Sequence, residues 1–334
     1  MPEKTVPGLK GRIIRGILFD LGDTLWSRKD ATVWQQMEGA SNQKAVALLR
    51  QHVSPAMLPA LDDKTLGQRL RDALDEQVRA AIRLDPGREP DCALAIVQAL
   101  RRWGIDGIDR SLGAALFEAL RVRIPESRPL FDDVLPTLAE LRRRGFLLGV
   151  VTNRLWGGKI FQEDLRTLGL LNYLDYRHMA ISADLGVRKP HPAIFQHALN
   201  VLCLPAEQAV MVGDSLRSDI VGAQCLGIFS IWKPKPEWRS RMLARLVAPG
   251  ASSATGTGSD TSLQQALLQA ELAPGEQVDV PPPGIHITDD DFVLSQVRSR
   301  DGQLDHYIRG TITPDLIIEN TSDLLDIFFE AGKQ

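Results

Sequence analysis

The sequence predicts an α/β protein, a doubly wound and mainly parallel sheet whose chain is interrupted by an inserted all-helical unit. Three observations predict it. An apolar run, Ile13-Ile14-Arg15-Gly16-Ile17-Leu18-Phe19, closes on a lone carboxylate, Asp20, and a tight turn, Leu21-Gly22-Asp23-Thr24-Leu25. About a hundred residues of helical character follow. From Val134 to Trp232, helical and strand-like segments then alternate, the pattern of an open sheet with helices on both faces.

In chain order, the first strand ends at Asp20, which places that carboxylate at the carboxyl edge of a buried strand, where open α/β sheets bind ligands. The inserted unit begins with Ala31 to His52, rich in Gln, Ala and Leu. Residues 66, 70, 74 and 78 are apolar, a helical stripe. Asp91 to Trp103 and Ser111 to Val122 add two more helices, and breaks at Pro55, Pro59, Pro86-Gly87 and Gly104 suit a small bundle. Pro125, Pro129 and Phe131 mark the return, with hinges expected near residues 25–29 and 125–131.

After the return, Val134 to Arg144 is a helix stopped by Gly145. Strand Leu147–Val151, helix Ile160–Leu168, strand Met179–Ser182, helix Ala193–Val201, strand Ala209–Val212, helix Leu216–Leu226 and strand Ile228–Trp232 follow. Residues 313–330 read as one last strand and helix, separated from Trp232 by about eighty residues. Within that separation Ala248 to Ser262 has linker composition, Leu263 to Leu272 a helical pattern, Val280 to Gly284 that of a stiff spacer, and Phe292 to Arg309 that of a hairpin about Asp301-Gly302. This insertion leaves the sheet at the edge that carries Asp20. Asp289-Asp290-Asp291 within it reads as a solvated cap rather than a metal site, because consecutive acids point in different directions.

Four segments in fixed order carry chemistry. Asp20 ends the first strand, Thr152-Asn153 ends the strand from Leu147, and Lys189 stands in Gly186-Val187-Arg188-Lys189-Pro190-His191-Pro192 before a helix. Gly213-Asp214-Ser215 ends the strand from Ala209, with Asp219 five residues beyond Asp214. A carboxylate nucleophile, a hydroxyl, an ammonium and two more carboxylates at strand ends suit phosphoryl transfer. The hydroxyl and ammonium meet phosphate oxygens, and the outer acids meet a hard cation. Each residue also has an ordinary use: Thr152 as a helix cap, Lys189 as a solvated loop charge, Asp214 and Asp219 as helix-start or surface acids, Asn153 and Ser215 as turn and cap residues. All of these would have to hold at once, in this order, for the site to be absent.

On these four segments the chain resembles the haloacid dehalogenase superfamily in its phosphatase branch, over roughly residues 12–232 and 314–329. The resemblance implies that Asp20 attacks phosphorus and forms an aspartyl-phosphate, as carboxylate nucleophiles do. It implies that Thr152 and Lys189 bind the transferred phosphoryl group, with Asn153 supporting the loop or a phosphate oxygen. Mg²⁺ is expected on Asp20, the main-chain carbonyl of Gly22, Asp214 and Asp219. The core would comprise residues 12–25, 130–232 and 313–330, with a helical cap over 26–129 and an insertion over 233–312. The cap is expected to close over the catalytic edge and choose the substrate.

One position departs from the family pattern. The first motif is usually Asp-x-Asp-x-Thr, its second aspartate serving as general acid and base. Here Asp20-Leu21-Gly22-Asp23-Thr24 has glycine at that place. Asp23 is the obvious substitute, but alternation along an extended segment would point it away from Asp20. A missing general acid costs roughly 10²–10⁴ in rate, which favours substrates whose leaving group is already stable as an anion. The dehalogenase branch also lacks the second aspartate, but it works without metal and has no use for Asp214 and Asp219. A phosphate-binding relic without turnover is the other alternative.

Composition is that of an ordinary soluble globular protein, 44% hydrophobic and 24% charged, with net charge −3. That balance gives no electrostatic case for nucleic acid, and no apolar stretch approaches the roughly 20 residues of a membrane span. The expected partner is a small phosphorylated metabolite and the expected compartment the cytoplasm. Cys92, Cys203 and Cys225 read as buried free thiols. Trp26 and Trp34 are candidates for a pocket wall, with core packing the simpler use. Arg154 reads as solvated, with a substrate anion as the alternative.

Overall fold

The computed structural model describes residue 9 and residues 11–27, 31–235 and 312–328. Strand β1 (Gly16–Phe19) is followed by helices α1 (Ala31–His52), α2 (Asp63–Leu84), α3 (Cys92–Arg102), α4 (Arg110–Ala119) and the short α5 (Ile124–Ser127). Then come α6 (Val134–Arg143), β2 (Leu147–Thr152), α7 (Gly158–Thr167), β3 (Met179–Ile181), α8 (Ser182–Leu185), α9 (Pro192–Leu202) and β4 (Ala209–Gly213). A π-helical turn, Leu216–Val221, runs into α10 (Gly222–Gln224), and β5 (Phe229–Trp232), β6 (Leu316–Ile317) and α11 (Asp323–Ile327) complete the described chain.

Among the described residues all strand pairs are parallel, in the order β3-β2-β1-β4-β5-β6. The chain builds outward from β1 on one side, then crosses to β4 and builds outward on the other. The order therefore reverses between β1 and β4, where doubly wound sheets open a crevice beyond the strand ends. Alternate side chains serve opposite faces. Ile17 and Phe19 join one core with Val150, Val212 and Ile231, while Leu18 joins a second with Val151, Met211 and Phe195. Each face buries an apolar layer under helices, the double cover that an all-parallel sheet needs.

Helices α1–α4 bury a separate core. Leu66, Leu70, Leu74, Val78 and Ile82 form the inward stripe of α2 and meet Val46, Leu49, Ile96, Leu100 and Leu116. Asp62, Asp91 and Asp109 cap α2, α3 and α4 by accepting the N–H groups of Thr65, Leu94 and Leu112, so each helix start is fixed by a side chain suited to it. Where this unit joins the sheet, the outgoing and returning segments pair. The Ser27 N–H donates to the Pro129 carbonyl at 3.0 Å and the Phe131 N–H to the Leu25 carbonyl at 3.1 Å.

Within the described residues the expected strands and helices are present, with ends moved by one to three residues in most cases. The helix expected over 216–226 begins instead as the π-helical turn. Two cysteines correct the reading of buried thiols: only Cys92 is buried, while Cys203 and Cys225 are exposed. Both lie at helix ends, Cys203 in the left-handed conformation (φ 53°) that closes α9. The segments expected over 248–262, 263–272, 280–284 and 292–309, and Asp289 to Asp291, lie outside the described residues.

Candidate active site

Three strand ends meet at the reversal point. Asp20 continues β1, its N–H donating to the Val212 carbonyl of β4 at 2.9 Å. Thr152 closes β2, and Asp214 follows β4. Asp20, Thr152, Lys189, Asp214 and Asp219 are all 0–2% exposed, so four charged side chains are withdrawn from water at one edge. Buried charge is tolerated only where it is paired, and the pairing is explicit. The Lys189 ammonium donates to Asp20 Oδ1 at 2.6 Å and to Asp219 Oδ1 at 2.7 Å. The reading of Lys189 as a solvated loop charge fails on this geometry.

The loop that carries Lys189 is held at its main chain as well. Asn153 accepts the Lys189 N–H on Oδ1 at 2.8 Å and donates Nδ2 to the Lys189 carbonyl at 3.1 Å. Asn153 thus clamps the third motif to the second. On the other side, Asp219 Oδ2 accepts the Ser215 N–H at 2.9 Å. Gly213 makes room for it: a Cβ there would lie 2.2 Å from Asp219 Oδ2, so any larger residue would displace that acid. Ser215 caps the π-helical turn through the Ser218 N–H, and the Trp232 indole donates to the Asp214 carbonyl at 2.8 Å.

Asp20, Asp214 and Asp219 each offer one carboxylate oxygen, all within 4.8 Å of one another. An all-oxygen set of hard anionic donors fits Mg²⁺ by chemistry. Two ammoniums thread these acids into one network, Lys189 with Asp20 and Asp219 and Lys235 with Asp23 and Asp214.

Sequence reasoning missed three participants. Thr24 donates its hydroxyl to Asp20 Oδ2 at 3.4 Å from within the first motif. Lys235, at the start of the long insertion, contacts Asp23 at 2.5 Å and Asp214 at 3.2 Å. Asp23 itself has φ 54°, a left-handed conformation that Asp tolerates better than most residues. The turn therefore breaks the extended alternation, and Asp23 joins the site's charge network through Lys235. Ser182 is the third: it accepts the Arg154 N–H at 2.7 Å and donates to the Arg154 carbonyl at 3.1 Å, bracing the residue after Asn153. The motif spacing gave a signal only for Thr24, since Lys235 and Ser182 arrive from distant sequence.

The aromatic and cationic neighbours resolve differently. Trp26 is 1% exposed within the sheet's core, while Trp34 is half-buried beneath the Arg128 guanidinium. Arg154, read as solvated, is buried, with its guanidinium over the rings of Trp26 and Phe161; the π faces take the place of water. Trp156 stacks on Phe117 of α4 at 4.4 Å between centroids, joining the second-motif loop to the helical unit.

The chain is similar in sequence to known proteins. The chain is 31% identical over 224 residues, 66% of its length and 83% of the relative's, to a glyceraldehyde 3-phosphate phosphatase of Methanopyrus kandleri. It is 40% identical over 97 residues to the Pyrococcus furiosus protein of the same name, a match spanning 29% of this chain and 38% of that one. A phosphoserine phosphatase of Thermus thermophilus is 33% identical over 123 residues, 37% of this chain and 46% of its own. Residues 14–227, which include every one of the predicted site residues, match the haloacid dehalogenase-like hydrolases, and the chain belongs to that family.

Proposed function

We propose that this protein is a Mg²⁺-dependent phosphatase that hydrolyses a small phosphorylated metabolite through an aspartyl-phosphate on Asp20. The observation that carries this reading is the buried Lys189 ammonium between Asp20 and Asp219, beside Asp214, at the sheet's reversal point. Relatives named as phosphatases of small metabolites support the substrate class.

In this reading an Asp20 oxygen forms the bond to phosphorus as the ester oxygen departs. Water then cleaves the acyl phosphate and releases inorganic phosphate. Lys189 and the Thr152 hydroxyl meet the phosphoryl oxygens, where charge develops. Lys189 also holds Asp20 in its anionic, nucleophilic form. Asp20, Asp214, Asp219 and the Gly22 carbonyl would hold Mg²⁺, whose contribution is positive charge against the phosphoryl oxygens. Thr24 and Asn153 orient Asp20 and Lys189 respectively. Residues 26–129 act as the cap, and residues 12–25, 130–232 and 313–330 as the catalytic core.

Gly22 supplies no proton to the leaving group, and Asp23 is engaged by Lys235. The enzyme therefore favours leaving groups stable as anions, such as aryl oxides, carboxylates or anomeric hydroxyls, and turnover falls steeply as leaving-group pKa rises. Among the described residues no helix is long and apolar enough to cross a membrane, and we place the protein in the cytoplasm. The test is hydrolysis of para-nitrophenyl phosphate with and without Mg²⁺, alongside Asp20→Asn. Metal-dependent turnover that is lost in the variant supports the reading. No turnover in folded, Mg²⁺-supplied protein would overturn it in favour of a phosphate-binding protein without catalysis, the alternative that Gly22 motivates.

A further inference from the structure

We infer that Glu89, on the α2–α3 loop of the helical unit, is a positioning residue for Lys189: it holds Arg188, and so makes the placement of the catalytic ammonium conditional on contact between the helical unit and the core. The inference rests on the reading of Lys189 given above and deepens it.

Four observations carry it. The Arg188 guanidinium donates to Glu89 Oε2 at 2.9 Å, with side-chain exposures of 0% and 6%. The main chains on either side of this pair are also joined. The Glu89 N–H donates to the Gly186 carbonyl and the Arg188 N–H to the Gly87 carbonyl, both at 3.0 Å, and Arg88 and Val187 form an antiparallel bridge. Gly87 packs against the ring of His191, where an added Cβ would lie 3.0 Å from Cδ2. Lys189 follows directly, its own N–H held by Asn153. Residues 186–191 thus run between two clamps, Asn153 on the core side and residues 87–89 on the helical side.

The energetics give the pair a direction. Glu89 and Arg188 come from parts of the chain that bury separate apolar cores, and neither core needs the other's charge. A buried pair draws on desolvation, and removing one partner costs the other a counter-ion while it stays buried. If the α2–α3 loop lifts, both groups regain water and the two main-chain hydrogen bonds are lost together. The segment ending at Lys189 then loses its hold on the helical side and is left to the contacts of the core, the Asn153 clamp among them. The ammonium that bridges Asp20 and Asp219 is well placed only while the helical unit is down, so water entering an open site meets an unassembled one.

The experiment compares wild type, Glu89→Gln and Glu89→Asp in the full chain by two readouts. The first is kcat and KM for para-nitrophenyl phosphate. The second is hydrogen exchange, followed by mass spectrometry, of peptides covering 85–91 and 186–191, with a β1 peptide as the internal reference. Glu89→Gln is expected to lower kcat at least tenfold with KM changed less than threefold. Exchange in the two loop peptides should accelerate at least tenfold while β1 is unchanged, and Glu89→Asp should restore part of both. Wild-type kcat in Glu89→Gln, exchange unchanged in residues 186–191, or acceleration spread evenly over β1 would each overturn the inference. If wild type shows no turnover, the phosphatase reading fails by itself; the exchange readout still decides whether Glu89 holds the segment that carries Lys189.

Discussion

Replacing Lys189 with Met should destabilise the fold in a way that depends on pH and on Mg²⁺. The substitution keeps the length and apolar stem of the side chain and removes its charge. Asp20 and Asp219, both 0% exposed, then face each other without the Lys189 ammonium between them. Their ligand oxygens lie within 4.8 Å, so at an effective dielectric constant of about 20 their repulsion is about 3.5 kcal/mol or more. A second route gives a ceiling, because one carboxylate can take up a proton instead. For an ordinary aspartate that costs about 4 kcal/mol at pH 7 and about 1.5 kcal/mol at pH 5. The two routes agree on a loss of about 3–4 kcal/mol at pH 7, within the range measured when one member of a buried pair is removed.

Urea denaturation followed by tryptophan fluorescence measures it. With a denaturant slope of about 2 kcal/mol per molar, the midpoint falls by about 1.5–2 M at pH 7 in EDTA. At pH 5 the deficit shrinks to about 1.5 kcal/mol or less. Added Mg²⁺ should stabilise the variant more than wild type, because a bound cation relieves the same repulsion. A deficit under about 1 kcal/mol at pH 7, or one of equal size at pH 5, would refute the reasoning. It would mean that packing rather than charge decides what Lys189 contributes.

Other perturbations have equally definite outcomes. Gly22 is not among the glycines with positive φ, so its backbone conformation does not itself oppose a side chain. Gly22→Asp should raise turnover on alkyl phosphates by about 10² or more while changing aryl phosphates little, and equal gains on both would remove the missing acid as the bottleneck. Asp23→Asn should weaken Mg²⁺ binding and Lys235→Met should tighten it, each by up to about fivefold, as expected of one partly exposed charge. Calorimetric titration showing shifts of the same sign would contradict a role for these two charges at the cation site. Hydrogen bonds from Arg143 and Arg144 hold the Glu140 carboxyl at about 2, below its ordinary 4.5. A lowered folded value contributes stability above about pH 4.5 that is lost as pH falls toward 2, so Glu140→Gln should flatten that limb of acid denaturation.

What the sequence made legible follows from how each feature is encoded. A buried strand is written locally, as an apolar run with a polar stop, and Asp20, Thr152 and Asp214 each stand at such a stop. Their spatial meeting follows from the rule that parallel strands share one carboxyl edge. Lys189 was legible only through its motif, since a lysine in a Pro-rich loop has no local sign of being 0% exposed. Arg154 misled for the same reason: a lone arginine among Asn, Leu and Gly looks solvated until the rings of Trp26 and Phe161 fold against it. Cys203 and Cys225 misled in the opposite sense, because their exposure is set by where helices end.

The contacts that sequence could not show are those between residues far apart that have no shared motif. Lys235 meets Asp23 across 212 positions and Arg188 meets Glu89 across 99. Both join the catalytic edge to a part of the chain outside the sheet, the start of the insertion in one case and the helical unit in the other. In the proposed mechanism the strand ends supply groups that act on phosphate, and these need little beyond the sheet to bring them together. On that reading the distant pairs adjust charge at Asp214 and position at Lys189. Substituting a strand-end acid should therefore abolish activity on every substrate. Substituting Lys235 or Glu89 should instead change metal affinity or the coupling of the helical unit, and leave the nucleophile in place.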